Sequence, residues 1–239
     1  MKHLAFALSV NQTLIELDLS YIQIHEQGMR YLSDGLRRNR LSFYNVNSIQ
    51  TLIELVLSYN RLGDALRENK TLTILLMRKW KNLGLTSLAL PECEINDRGV
   101  HHIANALRKN RTLTYICLME NQIGDQSAHH LADALHRNQT LTELFFSKNR
   151  VGNEGSQYLA KAIRKALTLQ KLFLSGNRIS DQRVQHFVDV VQSRQITLIF
   201  TFTFSIVDSD TNQSISEHIH IVMDKSISLV KRNCVSFII

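Results

Sequence analysis

The chain is poor in the residues that build disulfide, metal and membrane structures. Its three cysteines lie far apart, at positions 93, 117 and 234, and no C-x-x-C pair occurs. Neither a disulfide framework nor a zinc knuckle is therefore implied. The longest apolar run, Ile196 to Val207, is interrupted by threonines and is shorter than the roughly 20 apolar residues of a membrane-spanning helix. These absences predict a chain without a membrane span, and the reduced-looking cysteines favour the cytoplasm.

Motifs of enzymatic chemistry are also missing. The patterns H-E-x-x-H, G-x-S-x-G and G-x-G-x-x-G do not occur. Cys117 lies near Tyr115 and Glu143 in the expected fold, but no histidine base is expected beside it, so we predict an inert, exposed thiol. We expect no enzyme activity, no cofactor, no metal ion and no small-molecule substrate.

A repeat of 28 residues organises the middle of the chain. A leucine recurs at this interval, and an asparagine follows each leucine at the same offset: Leu113 with Asn121, Leu141 with Asn149, and Leu169 with Asn177. The shared frame is L-x-x-L-x-L-x-x-N-x-I, which is that of a leucine-rich repeat. The frame predicts an α/β fold, a solenoid of about six to seven repeats with a curved parallel β-sheet inside and helices outside.

Each unit is expected to contain a short strand and a helix. The L-x-x-L-x-L segment alternates as a strand does, whereas Ala128 to Leu135 shows helical spacing, with Asp125 as the predicted N-cap. An asparagine of each unit should bond the backbone of the turn through both its donor and its acceptor. Ile22 and Cys93 replace it in two units, whose turns should be less well fixed. The structural ladder comprises Asn60, Asn121, Asn149 and Asn177.

Two intervals depart from the period. Residues 39–50 are interpreted as an insertion before the second strand, for which we expect a surface loop. Residues 64–82 fit helical spacing, so the apparent strand start at Thr71 is interpreted as part of one longer helix. Beyond Arg194, the segment Ile199 to Phe204 fits the frame once more and predicts a seventh strand. A further helix is outlined by Ile215, Ile219, Val222, Met223 and Val230.

The repeats define the expected domains. Residues 1–194 form a leucine-rich repeat domain that starts mid-repeat, and residues 195–239 form a degenerate closing repeat or an irregular tail. Residues 3–14 match residues 130–141 at nine of twelve positions. The amino terminus is therefore expected to be the helical half of a repeat rather than a targeting peptide. Both ends look cut mid-repeat, because neither shows the polar outer face of a solenoid cap.

The net charge of +7 is attributed mainly to helix ends. Asp97, Asp125 and Asp181 open predicted helices, which complements the helix macrodipole by about 0.3–1 kcal/mol for each well-placed charge. We therefore expect no nucleic-acid partner, while a basic rim that favours acidic partners stays open. The basic residues that close helices are Arg37, Arg38, Arg108, Lys109, Arg137, Arg164 and Lys165.

The frame T-L-x-x-L-x-L-S-x-N-x-I-G-D, joined to L-A-x-A-L-x-x-N, resembles the ribonuclease-inhibitor-like class of leucine-rich repeat. It looks most like the carboxy-terminal repeats of NACHT-containing, NOD-like cytoplasmic immune receptors, over about residues 1–194. In that family the repeats form a sensing or autoinhibitory surface attached to a nucleotide-binding module. None of the nine glycines here forms G-x-x-x-x-G-K-S/T, so the resemblance is to the repeat portion alone.

Strand positions between the leucines are expected to line the concave face, where adjacent strands lie about 4.8 Å apart. Aromatic side chains ringed by charge are typical of protein interfaces. Alternatively, these side chains merely shield the sheet or meet a missing neighbour. One column contains Asp18, Val56, Ala89, Cys117, Phe145 and Phe173. The next contains Glu16, Glu54, Ser87, Tyr115, Glu143 and Lys171, and Tyr21, Tyr59 and Met119 flank it.

Histidines and glycosylation signals also recur with the repeat. The pair at residues 101–102 recurs at 129–130, and Tyr158 and His186 continue the second column. These positions fall on outer helices without a recurring carboxylate or cysteine, so surface histidines are favoured over a metal site. His218 and His220 would diverge on a helix. The sequons at Asn11, Asn69, Asn110 and Asn138 come from the repeat's own N-x-T step and do not indicate glycosylation.

The sequence favours a non-enzymatic protein-binding module that grips a protein on its concave face. Tyr115, Phe145 and Phe173 are the expected anchors, and polar selectivity is expected from charged neighbours. A rival hypothesis is a regulator of a small GTPase, because Ran GTPase-activating proteins are similar in repeat class, although their acidic tail is absent here. A third is a fragment of a larger receptor without independent function. The charged residues are Glu16, Glu54, Glu143 and Lys171.

Overall fold

The computed structural model describes residues 1–11, 13–38, 52, 54–60, 62, 85–180 and 187, together with the backbone of 197–207 and 214–223. The expected loop at 39–50, the helix at 64–82, and Asn69, Asp181, His186 and Cys234 lie outside these residues. The helices are α1 (Lys2–Val10), α2 (Glu26–Arg38), α3 (Asp97–Leu107), α4 (Asp125–Arg137) and α5 (Asn153–Ile163). The strands are β1 (Glu16–Asp18), β2 (Glu54–Val56), β3 (Ser87–Ala89), β4 (Tyr115–Cys117), β5 (Glu143–Phe145), β6 (Lys171–Phe173), β7 (Thr197–Val207) and β8 (Ser214–Met223).

The eight described strands form one sheet in chain order. Strands β1 to β7 pair in parallel, and β8 pairs antiparallel with β7. The described helices α2 to α5 alternate with three-residue strands as the repeat frame predicts, and the α/β solenoid is confirmed. The segment Lys2–Val10 forms helix α1, as expected from its match to residues 130–141.

A continuous apolar core separates the sheet from the helices. The central residue of each repeat strand points into it, and Leu55, Leu88, Ile116, Leu144 and Leu172 are fully buried. Burying a side chain of this size stabilises the fold by about 1.5–3 kcal/mol. The opposite, open face of each strand is left to the residues between the leucines, which places them on the concave side.

Small residues allow the helices of adjacent units to pack closely. Ala128 of α4 is fully buried, and a Cβ atom added to Gly155 of α5 would lie 2.9 Å from the Cβ atom of Ala128. Such a distance is too short for two carbon atoms, so this crossing needs glycine. Glycine at this position therefore lets α4 and α5 pack closely.

Ladder asparagines hydrogen-bond the backbone of the turn, as predicted, and they also join each unit to the preceding one. The Nδ2 atom of Asn149 donates to the carbonyl oxygens of Leu118 and Phe146 at 2.9 and 3.1 Å, and its Oδ1 atom accepts from the Ile123 amide at 3.3 Å. Asn60, Asn121 and Asn177 make the equivalent bonds. Because the amide group supplies both a donor and an acceptor, one side chain satisfies backbone groups of two units.

Cys93 takes over half of this role in the third unit. Its Sγ atom donates to the Leu57 carbonyl oxygen at 3.0 Å and to the Pro91 carbonyl oxygen at 3.3 Å. A thiol offers no comparable acceptor, and the Leu62 amide instead donates to the backbone oxygen of Cys93 at 3.1 Å. The turn that was expected to be poorly fixed therefore keeps its link to the preceding unit.

The residue before each ladder position adopts a left-handed backbone conformation. Only one of these six residues is glycine, and the other side chains accept a positive φ because the turn around them is fixed by hydrogen bonds. In the two units that lack asparagine, Gln23 (φ 53°) and Glu94 (φ 55°) are left-handed as well. The six residues form the turn column: Tyr21, Tyr59, Glu92, Glu120, Lys148 and Gly176.

Helix ends follow the predicted charges, but Asp125 is not an N-cap. Helices α3 and α4 begin at Asp97 and Asp125, and α4 is capped by Gly124. The Oδ1 atom of Asp125 accepts from the amide of Gly152, in the next unit, at 2.6 Å, and Asp97 accepts from the Gly124 amide at 2.9 Å. The carboxylate turns forward because unpaired amides at the start of the next helix lie within its reach.

Asparagines of the N-x-T steps close the turn from helix to strand. The Oδ1 atom of Asn138 accepts from the amides of Thr140 and Leu141, and its Nδ2 atom donates to the Leu107 carbonyl oxygen at 2.9 Å. Asn11 and Asn110 accept from the corresponding amides of their own turns. These contacts explain why the sequons recur with the repeat.

The last two strands correct the sequence-based predictions. The seventh strand exists, but Leu198 rather than Phe202 pairs with Leu172, a register shift of four residues. Alternation repeats at every even shift, so the apolar pattern alone cannot select the register. The segment from Ile215 to Met223 is strand and not helix. It is rich in β-branched residues, and β7 offers it an edge to pair with.

We predict that Asn149→Ala lowers the free energy of unfolding by about 2–4 kcal/mol, because buried carbonyl and amide groups of two units lose their partner. Urea unfolding followed by circular dichroism measures the change. The matched control is Gln126→Ala on the exposed side of α4, which should change the free energy of unfolding by less than about 0.5 kcal/mol. Equal stability of the two variants would contradict the role of the ladder.

Candidate functional site on the concave face

The pairing of the strands places the residues of each predicted column side by side, in the predicted order. Asp18, Val56 and Ala89 are in register on adjacent strands, followed by Cys117, Phe145 and Phe173. The neighbouring column is equally regular. It contains Glu16, Glu54, Ser87, Tyr115, Glu143 and Lys171.

Three aromatic rings form a cluster on β4 to β6. Phe145 and Phe173 are stacked with their centroids 3.9 Å apart and their planes 12° apart. Tyr115 lies against Phe145 at 5.0 Å. All three side chains are half-buried, so one side of the cluster stays open to solvent. We call these residues the aromatic cluster.

Cys117 is buried rather than exposed, which corrects the sequence-based prediction. The residue is 6% accessible to solvent. The neighbouring rings of Tyr115 and Phe145 exclude water from the sulfur, and this burial raises the pKa of the Cys117 thiol. Burial also raises the pKa of Tyr115, to about 12. The Cys117 thiol is therefore packed between the rings of Tyr115 and Phe145.

Two lysines at the carboxy-terminal end are neutralised by carboxylates of the preceding unit. Lys171 Nζ lies 2.8 Å from Glu143 Oε1, and Lys148 Nζ lies 2.8 Å from Glu120 Oε1. The hydrogen bond to Glu120 raises the pKa of Lys148. Glu120 and Lys148 belong to the turn column and were missed by the sequence prediction. Their place directly before the ladder asparagines is the signal that could have found them.

At the amino-terminal end, tyrosines replace the ion pairs of the turn column. The rings of Tyr21 and Tyr59 are stacked at 4.0 Å. Hydrogen bonds to Tyr21 and then to Glu92 raise the pKa of Tyr59. Tyr21 and Tyr59 therefore form a pair on units different from those of the aromatic cluster.

Hydrogen bonds from Ser20 lower the pKa of the neighbouring Asp18. The bond from the Ser20 hydroxyl has the larger effect, and the bond from the Ser20 amide has the smaller one.

The predicted binding residues consequently form two groups on one face. Tyr115, Phe145 and Phe173 share the carboxy-terminal group with Met119 and Cys117, whereas the tyrosine stack shares its units with carboxylates. The carboxylates are Glu16, Asp18 and Glu54.

The recurring histidines lie on helices, as predicted, and their rings meet. His101 of α3 contacts His130 of α4 edge to face at 4.6 Å, and His129 contacts Tyr158 at 4.5 Å. Burial lowers the pKa of His130, and the charges of His101, His129 and Arg108 lower it further. Within the described residues, no group of three or more histidine, cysteine or acidic side chains is placed to hold a metal ion.

None of the helices in the described part of the chain combines the length and apolar character that crossing a membrane requires.

Comparison with known proteins identifies the repeat. A family model of the leucine-rich repeat matches residues 48–65, 109–132 and 137–160. The chain therefore contains leucine-rich repeats, while the ribonuclease-inhibitor-like class stays a prediction. A search of the curated proteins gives no match.

Two solved structures have a weak similarity to the chain. The actin-binding site 2 of leiomodin-1 is 18% identical with a TM-score of 0.42, and the match covers 47% of this chain and 72% of that chain. An internalin from Listeria monocytogenes is 18% identical with a TM-score of 0.32, and the match covers 73% of this chain and 52% of that chain.

We predict that Cys93 and Cys117 react slowly with iodoacetamide at pH 8 in the folded chain, because burial raises both thiol pKa values, that of Cys93 to about 12. Peptide mass mapping after timed alkylation measures each rate. The Phe145→Ala substitution should accelerate the alkylation of Cys117, because it exposes the thiol. The alkylation rate of Cys93 should stay unchanged and serves as an internal control. Rapid alkylation of Cys117 in the native chain would show that the rings do not cover it.

We predict a loss of stability in mild acid that depends on His130. Because its folded pKa lies below the unfolded value of 6.5, the unfolded chain binds more protons, so this contribution is complete above about pH 6.5 and is lost as the pH falls. Melting temperatures between pH 8 and pH 5 measure it. The melting temperature of the His130→Gln variant should fall less steeply with decreasing pH than that of wild type. The melting temperature of the exposed His3→Gln variant should follow that of wild type. Identical slopes for all three would refute the role of His130.

Proposed function

We propose that this chain is a non-enzymatic protein-interaction module that binds a protein on the concave face of its leucine-rich repeats. Tyr115, Phe145 and Phe173 are its anchors. The finer proposal is a sensing or regulatory role in the cytoplasm, as the resemblance to NOD-like receptors implies.

The observation that carries the proposal is the half-exposed Phe145–Phe173 stack. Large aromatic side chains at solvent-facing sheet positions gain only part of the stabilisation of burial, and a partner would bury the rest. Buried aromatic anchors supply most of the binding free energy in protein complexes. The stack lies on strands with a fixed register, so little conformational entropy is lost when a partner binds.

Polar groups around the cluster support selectivity. Glu143 and Lys171 form an ion pair beside the rings, and Glu16 and Glu54 extend the same column. Charges at the rim of an interface disfavour wrong partners and fix the register of the right one. A partner that covers the aromatic cluster would therefore also meet the Glu143–Lys171 pair, and a partner that extends along the sheet would reach Glu54 and Glu16.

Affinity capture from the source cell tests the proposal, with bound proteins quantified by mass spectrometry. Phe145→Ser together with Phe173→Ser should lower capture of the specific partner at least about tenfold, since each anchor contributes about 1–2 kcal/mol or more. The matched control is Phe6→Ser with Leu167→Ser, which removes two exposed apolar side chains from α1 and from a turn.

The control variant should capture the partner as wild type does. Thermal unfolding of both variants checks that the solenoid remains folded. Undiminished capture by a folded Phe145→Ser/Phe173→Ser variant would reject the concave face as the binding surface.

A further inference from the structure

Charge on the concave strands and their turns is strongly polarised. Residues 13–25, 52–63, 85–96 and 113–124 contain six carboxylates, one arginine (Arg61) and no lysine. The chain as a whole carries a net charge of +7, so this acidic surface stands against the overall balance. The carboxylates belong to Glu16, Asp18, Glu54, Glu92, Glu94 and Glu120.

In the following two units, cationic side chains outnumber carboxylates. Residues 141–152 and 169–180 contain one carboxylate, that of Glu143, and four cationic side chains. Two of these cations are neutralised by the ion pairs with Glu120 and Glu143. The cations are Lys148, Arg150, Lys171 and Arg178.

Like charges face each other at the amino-terminal end. Glu16 and Glu54 are register partners on adjacent parallel strands, which lie about 4.8 Å apart. The Ser87 hydroxyl donates to Glu54 Oε1 at 3.3 Å, but a neutral hydroxyl does not remove the repulsion between two carboxylates. A cation between the two strands would remove it.

The tyrosine stack beside these carboxylates points independently to a cationic ligand. Tyr21 is 67% exposed and Tyr59 is 42% exposed. Aromatic ring faces attract lysine and arginine side chains, and arginine stacks on them most readily. Ring faces and carboxylates together offer a long basic side chain both an apolar contact and a counter-charge.

We propose that the concave face binds an extended protein segment that carries lysine or arginine over units one to four and an apolar side chain on the aromatic cluster. The inference rests on the proposed function and adds the chemistry of the partner. From Glu54 on β2 to the stack on β5 and β6 is three to four strand spacings, or about 14–19 Å. At about 3.3 Å per extended residue, the basic and apolar residues are separated by about four to six positions.

Selection from a phage-displayed library of random 16-residue peptides tests this partner chemistry with the full chain as bait. Selected peptides should be enriched in lysine or arginine at about four to six positions from an aromatic or aliphatic residue. The best peptide is then synthesised, with a second version in which each lysine and arginine is replaced by glutamine. Both are titrated at low and high salt.

Three variants of the chain separate the two ends of the surface. Glu16→Gln with Glu54→Gln should lower the affinity for the basic peptide about 2- to 30-fold, which is the range that two exposed ion pairs supply. Phe145→Ser with Phe173→Ser should lower the affinity for both versions of the peptide. The matched control, Glu154→Gln on α5, should leave both affinities unchanged, and high salt should weaken only the basic version.

Each contrary result has a distinct meaning. Peptides without basic residues that depend on Phe145 and Phe173 but not on Glu16 and Glu54 would overturn the inference and leave the proposed function standing. Binding of spermine as tight as that of the peptide would indicate a general polycation surface and would also overturn it. Peptides that ignore both sets of substitutions would overturn the inference and the proposed function together.

Discussion

Hydrogen bonds from side-chain amides to the backbone of the preceding unit are the interaction on which this structure depends. A three-residue strand and a tight turn leave amide and carbonyl groups that the unit cannot satisfy by itself. Asn149 satisfies such groups on both sides of a unit boundary. Asp125 reaches in the opposite direction, to the amide of Gly152. Each unit is therefore completed by its neighbours, as expected for a solenoid whose stability resides in nearest-neighbour contacts.

The sequence predicted the strands, turns and columns of the regular repeats, but it was less informative beyond the last regular repeat. Leu113 and Asn121 define a frame whose strand, turn and column positions all follow from fixed spacing. No comparable frame fixes Thr197 to Val207, where apolar residues alternate so evenly that two registers satisfy the same pattern. The burial of Cys117 was also missed, because a column gives the direction of a side chain but not the size of its neighbours. Those neighbours, Tyr115 and Phe145, decide how much water reaches the thiol.

On the concave face, the order of residues along the sequence determines which side chains lie next to each other. Because the strands stay in register, residues 28 positions apart become lateral neighbours, and a gradual change in sequence becomes a gradient of charge. Carboxylates dominate one end, and the stacked rings of Phe145 and Phe173 the other. A partner that meets both ends must be extended along the solenoid and cannot be placed by a single pocket. Its orientation would follow from the gradient.

The turn column carries a consequence for how such a protein can change over evolutionary time. Tyr59, Glu92 and Lys148 adopt a conformation that their own side chains disfavour, because asparagine amides and backbone bonds hold the turn from outside. The identity of the side chain is then nearly uncoupled from the shape of the main chain. Natural selection can exchange aromatic, acidic and basic groups at these positions without redesigning the scaffold. The column thus provides a row of evolvable positions in which recognition diversifies while architecture is inherited unchanged.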